Sequence, residues 1–171
     1  MAVTSGFRGS ETLTIDAKGR VSIPSDFRPV IQAGDPEWKE GLRARVVIVY
    51  GGQAQDHFKF YTIETINEIE KLIQKLPRGS MQRKAADRTY FGQATTVTLL
   101  EDGRVQLTQK LREKLNLKDK AFFTGESDKF LMYNPDVFAE QEADIDAWID
   151  EQGPEFNIEA VLDEAAASGA P

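Results

Sequence analysis

The sequence predicts a mixed α/β (α+β) protein: two internal repeats of a hairpin–helix unit, forming a pseudo-two-fold β-barrel with peripheral helices. Three observations carry this reading. Residues 12–31 (TLTIDAKGRVSIPSDFRPVI) align with residues 96–115 (TVTLLEDGRVQLTQKLREKL) at an offset of 84, with identities at Thr12/Thr96, Thr14/Thr98, Gly19/Gly103, Arg20/Arg104, Val21/Val105 and Arg28/Arg112. A second stretch aligns at an offset of 72, matching Val46–Tyr50 and Phe58–Thr62 with Ala121–Thr124 and Phe130–Asn134. The matched runs are short, apolar or β-branched, and separated by polar glycine-containing segments, the pattern of antiparallel strands.

Each repeat then reads in order as strand, turn, strand, helix, strand, loop, strand, helix. The first turn is Asp16–Arg20 and the equivalent turn lies at Glu101–Arg104, each with a glycine able to take the positive φ of a tight connection. Phe27 and Ile31, matched by Leu111 and Leu115, fall four residues apart as on one face of a short helix. Residues 34–45 (GDPEWKEGLRAR) have no counterpart in the second copy and read as an inserted loop. Ile63, Ile66, Ile69, Ile73 and Leu76 recur at helical spacing, and Val137, Phe138, Ile145, Trp148 and Ile149 do so less regularly after a first-turn Pro135 capped by Asn134. The repeats occupy residues 7–76 and 80–152, and residues 153–171 form an acidic tail, read as either a loosely attached helix or a disordered segment.

Composition excludes much chemistry. The 171 residues hold no cysteine, hence no disulfide, thiolate zinc site, thiol nucleophile or iron–sulfur cluster, and one histidine cannot supply a multi-histidine metal site. No P-loop or dinucleotide fingerprint is present, and no cofactor is expected. His57 reads as a surface-loop residue, because its neighbour Asp56 would point to the opposite face of a strand. Asp144, Asp146 and Asp150 read as a solvated helix face rather than a cation site. Nothing assembles a nucleophile, base and oxyanion donor, so an enzyme is not expected. The longest apolar run, Val46–Tyr50, is far too short to span a membrane, and no apolar signal segment opens the chain, so a cytoplasmic protein is expected.

The net charge of -7 conceals an uneven distribution. Residues 71–120 carry 12 Lys/Arg against 5 Asp/Glu, whereas residues 121–171 carry one against 13. A basic centre and an acidic C-terminal third point to a charged partner, and the acidic third would limit nonspecific adhesion to nucleic acid. Lys71, Lys75, Arg78, Arg83, Lys84 and Arg88 read equally as phosphate contacts or as a solvated helix face. Arg28 and Arg112 are expected to form intramolecular ion pairs.

The segment FRGSETLTIDAKGRVSIPSDFR (Phe7–Arg28), with GRVQLTQKLREKLNL (Gly103–Leu117), resembles the two half-motifs of the MraZ family, bacterial transcriptional regulators of the division and cell-wall gene cluster within the AbrB-like group. The resemblance covers residues 7–150 and implies intertwined hairpin barrels that bind double-stranded DNA at promoter repeats upstream of their own operon. It further implies repression, a ring-like homo-oligomer and a place on the nucleoid. The family's signature, an Asp followed four residues later by an Arg, is met by Asp16 and Arg20, with Lys18 and Gly19 between; in the second copy Arg104 is present but Leu100 stands in place of the Asp. The implied DNA-binding residues are Asp16, Lys18, Gly19, Arg20 and Arg104, with Arg8 open between a DNA contact and a subunit-interface ion pair. An arginine fork can bond guanine O6 and N7 or a phosphate, an Asp can orient it, and a lysine supplies a point charge. On its own, Asp-Ala-Lys-Gly-Arg also reads as a plain hairpin turn. An oligomeric scaffold that binds protein partners, or an AbrB-type antitoxin-like regulator, stands as the alternative.

Overall fold

A computed structural model describes residues 6–52 and 55–169; the last two residues of the expected tail, 170–171, lie outside that range. The chain divides into two compact units, Met1–Pro135 and Asp136–Pro171. Among the described residues the first unit holds eight strands: β1 (Ser10–Thr14), β2 (Arg20–Ser22), β3 (Arg45–Val49), β4 (His57–Thr62), β5 (Ala94–Thr98), β6 (Arg104–Gln106), β7 (Lys120–Glu126) and β8 (Lys129–Tyr133). Its helices are α1 (Phe27–Ala33), α2 (Ile63–Gln74), α3 (Met81–Asp87), which runs into a π-helical turn at Arg88–Gly92, and α4 (Gln109–Lys114). The fold is mixed α/β, and every registered strand pair is antiparallel.

Six strands form one sheet in the order β1-β7-β8-β4-β3-β5, and β2 with β6 forms a separate two-stranded ribbon. The expectation that the first two strands of each copy pair as a simple hairpin is corrected. The Asp16–Arg20 turn closes locally, through Gly19 N–H to Asp16 O at 2.9 Å and Asp16 N–H to Arg20 O at 2.9 Å, and a single bridge joins Ile15 to Val21. Beyond it the strands part. β1 pairs with β7 (Leu13 opposite Ala121), β5 pairs with β3 (Val97 opposite Val46), and β2 meets β6 (Val21 opposite Val105). Ile15, Val21 and Ile23 all remain in the main core on either side of the parting.

The strands β3 and β4 carry apolar side chains on both faces, and the alternation sorts them into two cores. Val46, Ile48, Phe58 and Phe60 join the main cluster, while Val47, Val49 and Tyr61 turn toward Ile66 of α2, flanked by Ile63, Ile69, Tyr90 and Ala94. The main core centres on Phe130, whose ring lies 5.0 Å from Phe7, 4.9 Å from Phe27 and 4.6 Å from Phe60. Phe27 and Ile31 anchor α1, and Leu111 and Leu115 anchor the α4 segment, at the predicted spacing of four. The inserted loop at 34–45 is tied down by Asp35, only 4% exposed, which accepts from the backbone N–H of Glu37 and Arg45 and from the Arg45 guanidinium at 2.7 and 3.1 Å.

The second unit carries most of α5 (Pro135–Glu151) together with α6 (Ile158–Ala167). Asn157 caps α6 by accepting from Glu159 N–H at 2.8 Å, and Trp148 packs edge-on against Phe156 at 5.3 Å. Ile145, Trp148, Ile158, Val161 and Leu162 are exposed. Among the described residues no helix is long and apolar enough to cross a membrane.

Candidate nucleic-acid interface

Two turns from distant parts of the chain close the two ends of the short β2–β6 ribbon, and the side chains on its outer face join them into one tip. The antiparallel register sets Arg20 opposite Gln106 and Ser22 opposite Arg104, so the Asp16–Arg20 and Glu101–Arg104 turns stand at opposite ends of a ribbon only three residues long, with Arg20, Ser22, Arg104 and Gln106 on the face away from buried Val21 and Val105. Gly19 (φ +83°) and Gly103 (φ +78°) occupy the left-handed region that each turn requires. The absent side chains matter as well. A Cβ on Gly19 would overlap the Arg112 guanidinium and approach Leu107 O to 2.6 Å, and a Cβ on Gly103 would overlap the Arg28 guanidinium. Each copy's helix arginine therefore lies against the other copy's turn. Arg112 Nη1 donates to Leu107 O and Arg28 Nε to Ile23 O at 3.2 Å, so the ion pairs expected for these two arginines are replaced by backbone caps.

Asp16 is the hub. Its Oδ1 accepts from the backbone N–H of Lys18 and of Arg20, both at 2.9 Å. Its Oδ2 accepts from Arg20 Nε at 2.7 Å and from Arg104 Nη1 at 3.1 Å. The Arg20 backbone N–H, reinforced by its guanidinium, holds the Asp16 carboxyl below the ordinary carboxylate range despite the opposing effect of burial. The second copy's missing acid is supplied from two directions: across the ribbon by Asp16, and locally by Asp102, which accepts from Arg104 N–H at 3.2 Å and Arg104 Nε at 2.6 Å. Burial pushes the Asp102 carboxyl up, but the Arg104 backbone and guanidinium outweigh it and keep it low. Gln106 closes the assembly by donating from Nε2 to Lys18 O at 2.5 Å.

Of the sequence-predicted residues, Asp16, Lys18, Gly19, Arg20 and Arg104 share this one tip. Arg8 does not. It lies before the far end of β1, a strand about 17 Å long at about 3.4 Å per residue, and lines a cavity of about 740 Å³ together with Glu64, Glu68 and Asp128. Asp102, Gln106, Arg28 and Arg112 were not foreseen as parts of the tip. The recurrence of both Gly and Arg at the offset of 84 is the sequence signal by which the last two could have been linked to the turns. His57 is also corrected: it opens β4, stacks on Tyr133 at 4.8 Å, and its Nδ1 lies 2.9 Å from Asp56 Oδ1, because Asp56 precedes the strand and is free of its alternation. In the basic segment, Lys71 pairs with Glu68 at 2.9 Å and Arg83 bonds Leu76 O at 3.3 Å, while Lys75, Arg78 and Lys84 are exposed. Asp144, Asp146 and Asp150 lie exposed along α5.

On this small mixed α/β scaffold, two acid-pinned arginines share the outer face of a narrow ribbon, an arrangement that holds positive donors in fixed positions. The family described as "MraZ protein, putative antitoxin-like" matches residues 90–153. A protein named Transcriptional regulator MraZ from Ruegeria pomeroyi is 42% identical over 163 residues, covering 95% of this chain and 98% of its own length. Proteins of the same name from Ruegeria sp. and Cereibacter sphaeroides are 41% and 39% identical, over 93% and 80% of this chain and 96% and 84% of their own lengths. The chain belongs to the MraZ family of transcriptional regulators.

Proposed function

We propose that the chain is a sequence-specific DNA-binding regulator whose reading element is the outer face of the β2–β6 ribbon with the turns that close it. The single observation that supports this most is the convergence of Arg20 and Arg104 on Asp16, since fixing two guanidinia before contact removes side-chain entropy that binding would otherwise cost. A two-stranded ribbon is narrow enough to enter a major groove, where arginine reads guanine and lysine meets phosphate. Lys18, exposed on the same turn, supplies the point charge.

The two copies, 7–76 and 80–152, are read as AbrB-like repeats closing one barrel about a pseudo-two-fold. The registers favour this: His57 opposite Tyr133 has its image in Tyr61 opposite Lys129, and Arg20 opposite Gln106 in Ser22 opposite Arg104. By membership of the family, the target is repeats upstream of the protein's own operon in the division and cell-wall cluster. The effect is repression, the site of action the nucleoid of the cytoplasm, and the assembly a ring-like homo-oligomer. Several tips on one ring would raise avidity for repeated sites without new contacts.

The test is Arg20→Ala, assayed by gel shift on the DNA upstream of the protein's own gene and by light scattering. Operator binding is expected to be lost with oligomer size unchanged; full retained affinity would sink the assignment. The exposed apolar residues of α5 and α6 favour a second reading, a scaffold that holds protein partners. Promoter affinity that falls steeply with salt, yet stays above that for random duplex, separates the regulator from the scaffold.

A further inference from the structure

We propose that the two arginines of the tip are not equivalent readers: Arg20 is the base-reading fork, and Arg104 is a strut that holds the tip together and offers DNA a charge rather than a fork. This rests on the reading of the ribbon as the DNA-binding element. A guanidinium carries five N–H donors, one on Nε and two on each Nη, and two parallel bonds to guanine need a free edge bearing two of them. Arg20 spends only Nε, on Asp16 Oδ2 at 2.7 Å, so its terminal Nη1–Nη2 edge is intact. Arg104 spends Nε on Asp102 Oδ2 at 2.6 Å and Nη1 on Asp16 Oδ2 at 3.1 Å, so both its side edge and its terminal edge are already partly bonded within the protein.

Charge points the same way. Arg104 faces two carboxylates, its own Asp102 and the shared Asp16, whereas Arg20 faces Asp16 alone. The asymmetry originates in the sequence. With Leu100 where the first copy has Asp16, the second turn has no acid four residues before its arginine, and Asp102 binds Arg104 from the wrong side to leave it a clear fork. Gln106 adds to the difference: it fixes the first turn through Lys18 O, and its counterpart Ser22 is too short to do the same for the second. Asp102 is thus a positioning residue, and the chain holds one composite reading head instead of two half-heads.

Lysine substitution separates a fork from a charge, because an ammonium keeps the charge and loses the bidentate geometry. Arg20→Lys and Arg104→Lys are compared with the unaltered protein on the DNA upstream of its own gene and on random duplex, at one fixed salt concentration. Arg20→Lys is expected to lower the ratio of promoter to random affinity by about tenfold or more. Arg104→Lys, which keeps the charge, is expected to change that ratio by less than about threefold. A second measurement changes the DNA: replacing promoter guanines one at a time by 7-deazaguanine removes the N7 acceptor. The unaltered protein and Arg104→Lys should be sensitive at the same guanine, and Arg20→Lys indifferent to it. Equal losses of specificity in the two lysine variants, or a 7-deazaguanine effect that persists in Arg20→Lys and vanishes in Arg104→Lys, overturn the asymmetry while leaving DNA binding by the ribbon intact. Failure of the unaltered protein to bind promoter DNA at low salt overturns both.

Discussion

Replacing Gly19 by alanine isolates what the tip demands of its backbone. Two costs apply. A left-handed φ of +83° in a residue with a Cβ costs about 1–2 kcal/mol. The added carbon also occupies the space of the Arg112 guanidinium and stands 2.6 Å from the Leu107 backbone oxygen, which cannot swing aside as a side chain can. Expelling Arg112 forfeits its bond to Leu107 O, a charged hydrogen bond worth about 1.5–3 kcal/mol. The total is about 2.5–5 kcal/mol, which for a chain of this size lowers Tm by roughly 5–20 °C. Gly79 supplies the control. Its φ is +80°, yet a Cβ there meets nothing within 4 Å, so Gly79→Ala incurs only the backbone cost, roughly 2–8 °C. Thermal unfolding followed by circular dichroism compares the two variants directly. Equal melting temperatures would refute the argument that Gly19 is required by the guanidinium beside it.

Other predictions address the core and the loop. Phe130→Ala, which empties the centre of the phenylalanine cluster, is expected to cost about 3–5 kcal/mol in urea unfolding, and a loss below 1 kcal/mol would contradict the packing described. Asp35→Asn should destabilise by about 1–3 kcal/mol by weakening charged bonds to Arg45. The Arg45 guanidinium is the main reason the Asp35 carboxyl lies below its usual 3.8. A depressed folded pKa means that this contribution is complete above 3.8 and is lost as pH falls through the lower, folded value. Unfolding free energy measured while stepping pH down from 5 should therefore fall less steeply in Asp35→Asn; identical slopes would remove Asp35 from the acid response.

Much of the fold was legible because local periodicity carries it. The apolar runs at Val46–Val49 and Phe58–Phe60, the spacing of Phe27 and Ile31, and Gly19 and Gly103 marking the turns all report the state of a few consecutive residues. Partner choice was not legible. The pairing of β1 with β7 and of β2 with β6 depends on where distant strands find a complementary edge, and nothing within Thr12–Val21 names Ala121 or Val105 as its partner. The same gap hid half of the site. Asp16 and Arg20 could be read as a unit because four residues separate them, but the bond from Arg104 to Asp16 spans 88 residues. Asp102 was visible beside Arg104, yet its role depended on how the Glu101–Arg104 turn curls. His57 was misjudged for a related reason: the alternation of faces holds only inside a strand, and Asp56 sits just outside β4.

The exchanged pairing also sets a schedule for the growing chain. Ser10 meets Thr124 across 114 residues, and the reading head needs Arg104 to reach back to Asp16. At about 5–20 residues per second, the ribosome takes roughly 4–18 s to make the 88 residues between those two side chains. During that interval the emerging chain carries Asp16, Lys18 and Arg20 but has no ribbon to mount them on. A product of premature termination or proteolysis that ends before β6 is in the same state. The cluster is therefore assembled only by completion of the fold, and on the proposed reading a fragment lacks the element that would meet DNA.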